Sequence, residues 1–213
     1  MPANWQGNCS LNQTGYDNEI AVLSPVAPGG KLTTLFKPQG GAFVGDVDLN
    51  FDADTMLFSM PDNGRWQVFE IRADGAGLRQ VTKGEEPDVH NYDACYLPSG
   101  KVMYCSTAVF HGVPCVGGAD AVANLFTCDA DGANARQLGF DQDHNWCPTV
   151  LNDGRVLYTR WEYSDLPHYF SRLLFHMNPD GTNQTEYYHS NSYWPNSTFF
   201  ARPIPGTRPR WSR

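Results

Sequence analysis

Apolar residues along this chain come in strand-length runs separated by turn signals, and no window sustains the period of a helix. One run recurs three times and ends each time in an acidic-glycine turn. The copies are Val68-Phe69-Glu70-Ile71-Arg72-Ala73-Asp74-Gly75, Leu125-Phe126-Thr127-Cys128-Asp129-Ala130-Asp131-Gly132 and Leu174-Phe175-His176-Met177-Asn178-Pro179-Asp180-Gly181. In the first two, Arg-Gln and an aliphatic residue follow the turn (Arg79-Gln80-Val81 and Arg136-Gln137-Leu138). The turn aspartates 74, 131 and 180 stand 57 and 49 residues apart. That range suits a four-stranded propeller blade with loop insertions, not a helical repeat.

A second unit interleaves with the first. Phe51-Asp52-Ala53-Asp54-Thr55-Met56-Leu57-Phe58-Ser59 aligns with Leu97-Pro98-Ser99-Gly100-Lys101-Val102-Met103-Tyr104-Cys105 and with Leu151-Asn152-Asp153-Gly154-Arg155-Val156-Leu157-Tyr158-Thr159. Each copy is a short turn feeding a β-rich strand, and Gly and Asn supply the positive φ that tight hairpins need. Two hairpins per period make four strands, which is a blade. A weaker first copy (Ile20-Ala21-Val22-Leu23, then Lys31-Leu32-Thr33) brings the outer hairpins to about four. The expected fold is therefore all-β, a β-propeller of four-stranded antiparallel blades with about four blades present. Propellers close with roughly four to eight blades. Residues 1–207 are thus read as part of a larger propeller, followed by a short basic tail over 208–213. A complete four-bladed ring is the alternative. Open terminal blades expose unpaired edges, so self-association through them is expected.

Composition narrows the function. Glycine and proline, 20 and 15 of 213 residues, agree with many short strands and turns. The formal net charge of −8 leaves no basic stripe for phosphates, so nucleic acid is not an expected partner. No apolar stretch approaches a membrane span, and the polar opening Met1-Pro2-Ala3-Asn4-Trp5 is not a signal peptide. The six cysteines (Cys9, Cys95, Cys105, Cys115, Cys128 and Cys147) lack CxxC spacing, which argues against a structural zinc site and against a c-type haem attachment within the chain. Cys105 and Cys115 flank a short excursion and are candidates for a disulfide in an oxidising compartment. The other reading makes the cysteines small buried hydrophobes.

Residues that break the repeat are the candidates for chemistry. The largest interruption, 108–118, gathers His111, Cys115 and three glycines where a plain hairpin would serve. Glycine there lets the backbone approach a ligand or a neighbouring domain, and His111 with Cys115 are candidate cofactor contacts. A second cluster leads into the inner strands of successive blades: His90-Asn91-Tyr92-Asp93-Ala94-Cys95 and Asp141-Gln142-Asp143-His144-Asn145-Trp146-Cys147-Pro148. His90, Asp93, His144 and Cys147 are candidate metal ligands on the central channel. The same residue types also cap loops and bond backbone groups between blades. No Gly-x-Ser-x-Gly elbow, phosphate loop, His-Glu-x-x-His or EF-hand loop occurs, so no catalytic residue is assigned. The sequons at Asn8, Asn12, Asn183 and Asn196 matter only in a eukaryotic secretory pathway.

These motifs resemble the TolB-type, WD40-like propeller repeats of bacterial periplasmic proteins. A closer resemblance, over about residues 4–207, is to the propeller-forming middle domain of the hydrazine synthase alpha subunit family. It is carried by Asp93-Ala94-Cys95-Tyr96-Leu97-Pro98-Ser99-Gly100, by Gly112-Val113-Pro114-Cys115-Val116-Gly117-Gly118, by the run from Pro148 to Tyr163, and by Arg202-Pro203-Ile204-Pro205-Gly206. The resemblance implies a multi-domain exported or periplasmic protein whose propeller sits beside haem-bearing domains. It makes Cys115 the first candidate for a cofactor contact. Without Cys-x-x-Cys-His, this chain alone is not expected to make hydrazine or to hold haem. Its expected role is a scaffold or binding segment, its partners a protein or adjacent domains. The alternatives are a TolB-like interaction module and a propeller that contributes cofactor contacts to a haem enzyme.

Overall fold

The structure, a computed structural model, describes residues 11–114, 117–118, 120–163, 171–188, 194–195 and 197–206. Their regular elements are fourteen short strands and one 3-10 turn at Gln39–Gly41. A lone hairpin, β1 (Ile20–Ser24) with β2 (Lys31–Phe36), comes first. Three four-stranded antiparallel meanders follow, each with strands in chain order. Blade 2 is β3 (Gly45–Leu49), β4 (Thr55–Asp62), β5 (Arg65–Arg72) and β6 (Arg79–Gln80). Blade 3 is β7 (Asn91–Tyr96), β8 (Val102–Ser106), β9 (Asn124–Cys128) and β10 (Arg136–Gln137). Blade 4 is β11 (Asn145–Val150), β12 (Val156–Arg160), β13 (Leu173–Met177) and β14 (Thr185–Tyr188).

The propeller expectation holds, with one refinement. Among the described residues the first period contributes only its outer hairpin, so three blades are complete and the first is partial.

Blades stack face to face, which is why their middle strands read as continuous apolar runs and not as alternating ones. Along β4, Met56 and Phe58 face back toward the β1–β2 hairpin, in a cluster with Ile20, Phe69 and Ile71. Leu57, one residue over, joins Val68 and Val81 against Ala94, Val102 and Tyr104 of blade 3. The alternation of strand side chains feeds both junctions from one strand. The largest core, between blades 3 and 4, holds Met103, Leu125, Trp146, Val156, Tyr158 and Trp161.

The predicted turns form as read. Leu97 N donates to Lys101 O at 2.8 Å and Leu151 N to Arg155 O at 2.8 Å, closing the Pro-Ser-Gly and Asn-Asp-Gly hairpins. In the acidic-glycine turn of blade 3, Asp131 Oδ1 accepts from Ala133 N at 2.9 Å. Gly132 has φ 82° there, and a Cβ on it would lie 1.9 Å from Val81 O of the preceding blade. The turn glycine is therefore required twice, by conformation and by close approach.

Candidate functional site

Each inner strand carries the same defect. Pairing runs Gly45↔Ser59 then Asp48↔Leu57 in blade 2, Tyr92↔Cys105 then Cys95↔Met103 in blade 3, and Trp146↔Thr159 then Thr149↔Leu157 in blade 4. One extra residue on the inner strand is a β-bulge, which re-aims side chains locally. The bulge residues are Asp46 (φ 54°), Asp93 (φ 50°) and Cys147 (φ 53°). Pro148 is tolerated in β11 because the ladder is interrupted there. Phe200, with φ 53°, repeats the feature in segment 199–204, which lies on blade 4 where the inner strand of a next blade would run.

The bulges link successive blades. Asp93 N donates to Ser59 Oγ at 2.9 Å, and Cys147 N donates to Asp93 Oδ2 at 2.7 Å. The Phe200 backbone lies in turn against the Cys147 thiol. Tyr96 N donates to Asp48 Oδ2 at 3.1 Å, a further tie from blade 3 to blade 2. Three thiols, Cys95, Cys105 and Cys147, are buried around this line, and Cys105 Sγ lies 3.9 Å from Asp93 O.

Burial sets the electrostatics. The Asp93 carboxyl is pushed up to about 7, first by burial and then by the like charge of Asp46, while Arg202 pulls the other way. Asp48 is raised by burial, against the Tyr96 amide and the Arg202 charge. All three thiols are driven well above the ordinary thiol range by burial, so they stay protonated. A protonated thiol is a poor metal ligand and a poor nucleophile.

The two histidines occupy equivalent places in successive junctions. His90 Nδ1 accepts from Trp66 N at 3.1 Å, and His144 Nδ1 accepts from Ala123 N at 3.1 Å. Their carbonyls accept from Thr107 N and Trp161 N. Each imidazole thus ties the entry of one blade to the third strand of the blade before it. An accepting Nδ1 puts the proton of the neutral ring on Nε2. Burial lowers both histidines, His144 to about 3, with help from the Arg172 charge. His144 also stacks on Trp146 at 4.5 Å between ring centroids, and the Arg172 guanidinium lies 4.7 Å above Trp161.

The structure therefore brings Asp93 and Cys147 together and places His90 and His144 in separate blade junctions with Nδ1 engaged. Among the described residues, no group of three His, Cys, Asp or Glu side chains is placed to hold a metal ion. His111 is exposed in the blade 3 insertion, its carbonyl accepting from Val122 N at 2.8 Å. Cys115 lies outside the described residues, as does the tail 208–213. Of the two readings of the cysteines, Cys105 follows that of a small buried residue and not that of a disulfide partner: it is a free thiol that β8 points into the core beside Asp93.

Sequence reasoning missed Asp46, Ser59, Phe200 and Arg202. The signal was present, since Gly45-Asp46, Tyr92-Asp93, Trp146-Cys147 and Phe199-Phe200 fall at one repeat position. Residue types there diverge too far for a motif to show.

No protein-family model and no curated protein matches the chain. Solved structures do. Hydrazine synthase of Kuenenia stuttgartiensis is similar at TM-score 0.63 and 14% identity, over 75% of this chain and 27% of that one. A putative TolB of Agrobacterium tumefaciens matches at TM-score 0.55 and 14% identity, over 74% of this chain and 51% of that one. TolB of Acinetobacter baumannii matches at TM-score 0.52 and 14% identity, over 72% and 33%. The chain thus spans about half or less of each of these structures and shares their propeller fold. Among the described residues no helix is long and apolar enough to cross a membrane.

Proposed function

We propose that this chain is a non-catalytic propeller segment, a scaffold and binding platform within a larger exported protein similar to the hydrazine synthase alpha subunit. The observation that carries the reading is how the polar groups of the inner strands are used. His90, His144, Asp93 and Cys147 all bond backbone amides or accept from them across blade junctions, and the thiols beside them are protonated. Such groups hold blades in register. The likeness to hydrazine synthase at TM-score 0.63 supports the choice of parent over other propellers.

The blade 3 insertion supports a role for neighbours. His111 projects from it into solvent with four glycines or cysteine positions following within seven residues. In a haem-bearing parent, His111 and Cys115 are the residues of this chain proposed to touch the cofactor or its domain. A TolB-like interaction module is the second reading, favoured by the matches to two TolB structures.

Sequencing the coding locus on both sides of this segment separates the readings. Flanking Cys-x-x-Cys-His motifs support the haem parent. Flanking blades alone support the TolB-like module. A locus with neither sinks the scaffold reading.

A further inference from the structure

Blade 4 departs from blade 3 at one place in the repeat. Counted from the bulge residues, Trp146 stands where blade 3 has Tyr92, and His144 where it has His90. Trp161, whose amide meets the His144 carbonyl, stands where Thr107 meets that of His90. Arg172, at the entry of the third strand, takes the place of Ala123. The four side chains of blade 4 form one buried stack. The rings of His144 and Trp146 lie 4.5 Å apart between centroids and within 17° of parallel, those of His144 and Trp161 5.8 Å apart and within 18°. The Arg172 guanidinium lies 5.6 Å from the Trp146 ring and 4.7 Å from that of Trp161, and the residue is 3% exposed.

Two N–H groups in this stack are shut from solvent and meet no acceptor among the described residues: Nε2 of His144 and Nε1 of Trp146. The imidazole proton is on Nε2, because Nδ1 accepts from Ala123 N at 3.1 Å. Burying a donor without an acceptor costs the whole of its desolvation, so such groups in folded proteins meet one. The nearby acids are engaged elsewhere: Asp141 holds Arg160 and Asn145, and Asp143 Oδ2 accepts from Tyr163 N at 2.8 Å. Imidazole Nε2–H, indole N–H and guanidinium can only donate. A water there would turn its own hydrogens against donors, whereas an anion can accept from each and is drawn by the Arg172 charge. His144 is fully buried and Trp146 2% exposed, which favours a compact anion over a bulky one. We propose that this stack binds a small monovalent anion of the halide class, with His144 Nε2 and Trp146 Nε1 as its donors and Arg172 as its counter-charge.

The test is the thermal midpoint of the full chain in chloride against gluconate, titrated at constant ionic strength, with Trp146→Phe beside wild type. Gluconate is too large for the stack, and phenylalanine keeps a stacked ring while deleting the N–H. An anion that binds only the folded chain raises its stability as ln(1 + [L]/Kd). The wild-type midpoint should therefore climb once chloride exceeds its Kd. Trp146→Phe should move that onset about tenfold or more higher, as loss of a hydrogen bond to a charged group does. Wild-type crystals soaked in bromide give a second reading that needs no variant: an anomalous peak in hydrogen-bond contact with both nitrogens places the anion directly. Equal midpoints in the two salts overturn the proposal. So does a chloride response that Trp146→Phe leaves unchanged, or density at the two donors without anomalous signal, as water would give.

Discussion

Replacing Asp93 by asparagine removes a buried charge while keeping the shape and the oxygen that accepts from Cys147 N. In the folded chain this carboxyl titrates near 7, against 3.8 for a free one, because it is buried beside Asp46. The folded state therefore holds the proton more tightly than the unfolded state between those values. Stability is greatest below the unfolded value and is lost as pH rises through the folded one. A rise of that size corresponds to about 4 kcal/mol, of which about 3 kcal/mol falls between pH 5 and 8. His144 runs the other way. Its folded value near 3 lies below the ordinary 6.5, so its contribution fades as pH falls through that window. Subtracting the Asp93→Asn profile from wild type isolates Asp93, since both proteins keep His144. Urea unfolding followed by tryptophan fluorescence at pH 5 and 8 gives the four stabilities. The variant should gain on wild type by about 3 kcal/mol from pH 5 to pH 8. A stability gap that is the same at both pH values would refute the reasoning.

Other consequences are as direct. Gly132→Ala must hold an alanine at φ 82° and push its Cβ away from Val81 O, so it should cost about 2–4 kcal/mol, read as a lower urea midpoint. The same change at Gly154, also at positive φ but with nothing nearby, should cost less than half as much. His144→Leu leaves the Ala123 amide buried without its acceptor and should cost about 1–3 kcal/mol, whereas an asparagine that reaches the amide should recover part of it. Cys95, Cys105 and Cys147 should be silent to an aromatic disulfide reagent in native buffer and react on unfolding; fast native labelling of any of them would contradict their burial.

Strands and turns were legible in the sequence because their causes are local. The Asp-Gly and Asn-Asp-Gly turns encode positive φ, and strand-length apolar runs encode burial on both faces. Repetition then fixed blade architecture before any contact was known. The candidate site was only half legible. His90 and His144 stood out by position, but nothing local says that each Nδ1 faces the amide of a residue 21 to 24 positions earlier. Nor does any local cue place an extra residue at Asp46, Asp93 and Cys147, since a bulge belongs to a pair of strands and not to one.

The sequence by itself determined the kind of unit, its length and its turns, through propensity and period. Only the tertiary structure decided what the polar residues do. Stacking blade on blade buries Asp93 against Asp46 and Cys147 against Asp93, across 47 and 54 positions of chain. It is that burial, and not residue type, that keeps the thiols protonated and raises the carboxyl.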